Sequence, residues 1–132
     1  MKTKRLRVPV AMTIAGSDSG GGAGLQADLK TFAAVGVHGT SAITCLTAQS
    51  PNEVRAIKAM SADFVIKQIE TVWSAMPPKA VKTGMLYSAK VIEAVAEFFS
   101  EHRNVPLIVD PVMVATSGAV LLKPSAIRAM KE

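Results

Sequence analysis

Short apolar runs alternate along this chain with segments whose apolar residues recur every three or four positions. The first run is Val8–Ala15, followed by Ala23–Val35 with Leu25, Leu29 and Phe32 on one helical face. Gly36 and Gly39 punctuate its end. Ser41–Thr47 reads as the next strand and Val54–Lys58 as a shorter, weaker one. Ser61 is placed to cap a helix, with Asp63 in its first turn and an apolar stripe of Val65, Ile69, Val72, Trp73 and Met76. Pro77-Pro78 stops it. A brief strand, Ala80–Thr83, precedes Gly84-Met85-Leu86. Ser88 then caps a helix bearing Val91, Ile92, Val95, Phe98 and Phe99. Leu107–Asp110 is the last clear strand, and a final helix starts near Pro124-Ser125. Strand–helix alternation of this kind folds into a layered α/β architecture with a mainly parallel sheet and right-handed crossovers.

That architecture selects positions for a ligand. Open parallel sheets bind at the carboxyl ends of their strands. The segments there are Gly16–Gly24, Ala48–Asn52, Gly84–Tyr87 and Asp110–Gly118, distant in sequence but expected at one edge. The chain has 132 residues, 49% hydrophobic and 19% charged, which suits one domain with a sizeable core. The expected organisation is a basic tail at 1–7 and a domain portion at 8–132. Of the 15 Lys and Arg residues, Lys2, Lys4, Arg5 and Arg7 lie in the first seven positions, and the other 11 face 10 Asp and Glu. The net charge of +5 is therefore a tail rather than a face, which argues against a nucleic-acid partner. No apolar run has the roughly 18 residues of a membrane span, and Val8–Ala15 reads as a strand rather than a signal sequence. The single cysteine, Cys45, fits a reducing, cytoplasmic setting.

The glycine-rich stretch GSDSGGGAGLQAD, Gly16–Asp28, invites a nucleotide reading that its spacing denies. No lysine follows the glycines as a P-loop needs, since the next is Lys30. The dinucleotide fingerprint started at Gly20 and Gly22 would need its third glycine at Leu25. What remains is a strand-to-helix turn that lets a ligand approach backbone N–H groups. Asp28 borders the apolar stripe of its own helix, where a lone buried carboxylate is costly. A partner lysine or a backbone cap would satisfy it, and so would donors on a bound small molecule. Gln49 offers both donor and acceptor to a heteroaromatic ring, and Met85 and Val112 could supply apolar walls. Asp110, ending LIVD, could hold Mg²⁺ or phosphate-bound water, or cap the following turn.

Taken together, TIAGSDSGGGAGLQADLKTFAAVGVHGTSAITCLTAQ, AVKTGML and IVDPVMVATSGAVLL resemble the bacterial hydroxymethylpyrimidine/phosphomethylpyrimidine kinases of thiamine biosynthesis, from about Val10 to Met130. The resemblance implies a ribokinase-like three-layer α/β/α fold, of which this chain would be the N-terminal half. It implies ATP as co-substrate, Mg²⁺, and two successive phosphorylations of 4-amino-5-hydroxymethyl-2-methylpyrimidine. It implies that Gly16 lies at the ring, that Asp28 and Gln49 hydrogen-bond the aminopyrimidine, and that Met85 and Val112 line its pocket. It also implies a homodimeric intact protein.

Relatives of this kind are about twice as long and carry a G-x-G-C anion hole and the catalytic residues in a second half. No catalytic residue is therefore assigned here, Cys45 included, and the 132-residue chain alone is expected to be inactive or nearly so and prone to self-association. The run Ser19-Gly20-Gly21-Gly22 also departs from the Pro or Ser common among relatives' glycines. Two other readings stand beside the kinase: a non-catalytic pyrimidine-binding fragment, and a vitamin kinase acting on pyridoxal.

Overall fold

The computed structural model describes residues 8–115 and 117–132, so the basic tail at 1–7 lies outside the described residues. The elements run β1 Val10–Asp18, α1 Gly24–Ala34, β2 His38–Gln49, β3 Val54–Ala59, α2 Ala62–Ala75, β4 Ala80–Thr83, α3 Ala89–Glu101, β5 Leu107–Val109 and α4 Pro124–Lys131. The sheet order is β3-β2-β1-β4-β5. β1 pairs in parallel with β2 and β4, and β4 with β5, while β3 returns antiparallel along β2. The weak run at Val54–Lys58 is thus a real strand, and the sheet is mainly rather than wholly parallel.

The period-two alternation of β1 sorts its side chains to two faces. Met12 and Ile14, both fully buried, join Val65 and Ile69 of α2, Val91 and Val95 of α3 and Ala126 of α4 in one core. Thr13 faces the other way and meets α1. Helices therefore cover both faces, α1 on one and α2, α3 and α4 on the other, giving three layers. The chain steps from β1 to β2 in one direction and continues through β4 to β5 in the other. Crossovers of one hand that step in opposite directions place their helices on opposite faces. The reversal opens a crevice between the carboxyl ends of β1 and β4.

Several expected boundaries move. β1 continues through Gly16 and Ser17 to Asp18, so the turn begins only at Ser19. β2 extends to Gln49, which closes that strand instead of following it. Ser61 and Ser88 cap α2 and α3 by accepting the Phe64 and Val91 N–H groups at 3.2 and 3.3 Å. Met76, expected in the apolar stripe of α2, is the exposed residue that ends the helix. Its backbone leaves helical geometry there, because Pro77 disfavours the α conformation in the residue before it.

Candidate functional site

A cavity of about 300 Å³ opens at the crevice between β1 and β4. Gly16, Asp28, Gln49, Met85, Asp110 and Val112 all line it. Six residues singled out from the sequence, spread over 97 positions from Gly16 to Val112, thus share one space. Its floor is made where β1 passes β4. A Cβ on Gly16 would lie 2.9 Å from both Cys45 Sγ and Met85 Cε, so only glycine fits that floor without displacing both sulfur-bearing side chains. Burial pushes the Cys45 thiol above its ordinary value of 9.0, partly offset by a hydrogen bond with Thr44, and leaves it a neutral packing group.

Asp28 reaches the cavity from α1 with two partners supplied by the sheet. Thr13 and Lys82 are paired across β1 and β4, so their side chains stand side by side on the α1 face. The Thr13 hydroxyl donates to Asp28 Oδ2 at 2.6 Å, and Lys82 Nζ lies 3.0 Å from both carboxylate oxygens. The partner-lysine explanation for this carboxylate therefore holds, and Asp28 lines the cavity as well. Oδ2 serves two donors and Oδ1 one, which leaves Oδ1 an acceptor direction for a ligand. Gln49 is held at the end of β2. Its N–H donates to Ser19 Oγ at 2.7 Å, and its Oε1 lies 3.1 Å from the Thr47 hydroxyl.

The glycine loop departs from expectation. Its N–H groups turn inward rather than toward a ligand. The buried Asp18 carboxylate accepts from Gly20 at 2.8 Å, Gly22 at 3.0 Å and Ala23 at 2.8 Å. A protein carboxylate thus occupies the place an anionic ligand takes at a helix N-terminus. Gln26 completes the clasp, accepting the Asp18 N–H at 2.9 Å and donating to Ser17 Oγ at 2.7 Å. Gly24 has φ +58, and a Cβ there would collide with the Gly16 carbonyl oxygen. Glycine content here serves close packing of α1 on β1.

Asp110 sits at the rim, its side chain about half exposed, with Oδ2 3.7 Å from Lys82 Nζ. Among the described residues no three His, Cys, Asp or Glu side chains converge. A cation here would take at most two protein carboxylates, a pattern that fits Mg²⁺ carried on phosphates and water rather than a protein cage.

Comparison with known proteins gives this geometry a lineage. Residues 18–132 match the sequence profile of the family described as phosphomethylpyrimidine kinase. The chain belongs to that family. It is 50% identical over 127 residues to a hydroxymethylpyrimidine/phosphomethylpyrimidine kinase of Synechococcus elongatus, covering 96% of this chain and 48% of the relative. Among solved structures it is similar to phosphomethylpyrimidine kinase from Clostridium difficile, with 44% identity and a TM-score of 0.84 over 94% of this chain and 53% of that one. Pyridoxal kinase of Bacillus subtilis, solved as an ADP complex, superposes with a TM-score of 0.81 at 36% identity, covering 96% of this chain and 46% of that one. The chain spans about half the length of the curated relatives it matches.

Proposed function

We propose that the cavity is the acceptor site of a vitamin-precursor kinase and takes 4-amino-5-hydroxymethyl-2-methylpyrimidine. One observation carries this reading: Gly16, Asp28, Gln49, Met85 and Val112 line a single cavity at the sheet's switch point. The bare Gly16 lets a flat ring lie against the floor. Asp28 Oδ1 accepts from the exocyclic amino group or a protonated ring nitrogen, and Gln49 offers its amide to the ring edge. Met85 and Val112 cover the apolar faces.

The phosphoryl donor is ATP, and the product is the pyrimidine phosphate and then its pyrophosphate. Mg²⁺ bound with the phosphates would neutralise charge on the transferring group, with Asp110 as a protein carboxylate beside it. The protein is read as a cytoplasmic homodimer acting on small molecules rather than on nucleic acid or membranes. No helix among the described residues is long and apolar enough to cross a membrane.

The likeness to pyridoxal kinase favours pyridoxal as the competing acceptor, because it also presents a hydroxymethyl group on a flat heteroaromatic ring. Calorimetric titration of the chain with each compound tests both. The expected result is saturable binding of the pyrimidine, weakened at least about fivefold in Asp28→Ala and in Gln49→Ala, each removing a hydrogen bond worth about 1–3 kcal/mol. Tighter binding of pyridoxal than of the pyrimidine would transfer the assignment to the pyridoxal class. A folded chain that binds neither would contradict an acceptor site.

A further inference from the structure

An acceptor that already carries one phosphate brings negative charge into a cavity whose own charges are mostly negative. Asp18, Asp28 and Asp110 line it, and Lys82 is the one lysine or arginine among its described lining residues. The usual phosphate cradle is closed, because the glycine-loop N–H groups already donate to Asp18. Lys82 is held differently. It grips Asp28 at 3.0 Å but stands 3.7 Å from the half-exposed Asp110, and a quarter of its own side chain is exposed. An ammonium on a flexible stem can exchange a loose carboxylate for a phosphate oxygen while keeping its close one.

We propose that Lys82 is the phosphate-binding cation of this cavity, pairing with the phosphate of a phosphorylated pyrimidine in place of Asp110. The inference rests on the acceptor-site reading and deepens it. Lys82 has two roles: it holds Asp28 for the ring, and it cancels charge when the bound ring is a phosphate ester. Asp110 competes with that phosphate for the same ammonium. No covalent step is involved.

The test is calorimetric titration of the whole chain with the hydroxymethylpyrimidine and with its monophosphate, in chelator and at moderate salt. Wild type is expected to bind both. Lys82→Gln is expected to weaken both through Asp28, but to weaken the monophosphate at least about tenfold more, the loss of one close ion pair in a partly dehydrated site. Lys82→Arg is expected to restore most of that ratio. Asp110→Asn is expected to shift the ratio the other way by about threefold to tenfold, since it removes both a competitor and a repulsive charge. Equal weakening of the two ligands by Lys82→Gln would reduce Lys82 to a positioner of Asp28 and overturn the proposal. So would an Asp110→Asn variant with an unchanged ratio, which decides the matter even if Lys82→Gln fails to fold. A wild-type chain that binds the alcohol but not the monophosphate overturns this proposal alone. Binding of neither removes the acceptor-site reading with it.

Discussion

The two sides of the cavity are built on different principles. On the β1–α1 side the glycine loop is already satisfied within the chain: Asp18 closes it, Gln26 locks Asp18, and Ser19 bonds the end of β2. On the β4–β5 side one lysine serves two carboxylates at unequal distances. The strand beyond it is an exposed edge, with Ile108 and Val109 54% and 52% accessible. A satisfied network resists rearrangement, whereas loosely paired charges can re-partner. The first side therefore sets the shape of the cavity, and the second sets its response to charge.

Breaking the rigid side should have the largest effect. Asp18→Ala leaves three loop N–H groups without their acceptor and is expected to cost about 3 kcal/mol, read by urea denaturation, because hydrogen bonds to a buried carboxylate are among the stronger ones. A loss well under 1 kcal/mol would mean that the clasp contributes little and that the two sides do not differ as described. Thr13→Val removes the 2.6 Å bond that links the rigid wall to Asp28, and about 1.5 kcal/mol should be lost. Its effect on pyrimidine binding should be smaller than that of Asp28→Ala, since Lys82 still holds the carboxylate.

Cys45 sharpens the comparison through pH. Its folded thiol titrates above the ordinary 9.0, so the unfolded chain releases that proton first as pH rises. Stability from this group is complete below pH 9.0 and declines above it, by at most about 1.4 kcal/mol over the next pH unit. Denaturation midpoints of Cys45→Ala should fall less steeply in that range; parallel curves would show that the thiol is not buried behind Gly16. The smallest effect belongs to Thr83, whose buried hydroxyl has no hydrogen-bond partner among the described residues. Thr83→Val keeps its shape and should be neutral or stabilising by about 0.5 kcal/mol. Marked destabilisation would reveal a polar partner on the adaptable side.

What could be read from the sequence follows the same division. Strand and helix positions follow from periodicity, and the rule about carboxyl ends gathers Gly16 and Val112, 96 positions apart, into one cavity. Gly16 and Gln49 sit at those ends, Asp28 borders the apolar stripe of its own helix, and the family resemblance is what marks all three as ligand contacts. Lys82 is not marked, because it reads as an ordinary charged residue inside the four-residue strand AVKT. Its meaning depends on the β1–β4 register that sets it beside Thr13, and no local pattern encodes a pairing with a helix 54 residues earlier. Asp18 was missed for another reason. A glycine-rich turn suggests an external anion, and the fact that the chain supplies its own is visible only in three N–H directions. A carboxylate just before three glycines was the available signal.

In the proposed acceptor site a flat pyrimidine rests on the Gly16–Met85 floor, with the glycine loop serving as wall rather than as cradle. The most direct measurement is a crystal structure of the chain with 4-amino-5-hydroxymethyl-2-methylpyrimidine. The expected result is a ring stacked over Gly16, with its nitrogens within hydrogen-bond distance of Asp28 Oδ1 and the Gln49 amide and with the Asp18 clasp unchanged. A ligand bound instead to the N–H groups of Gly20, Gly22 and Ala23, with Asp18 displaced, would contradict it.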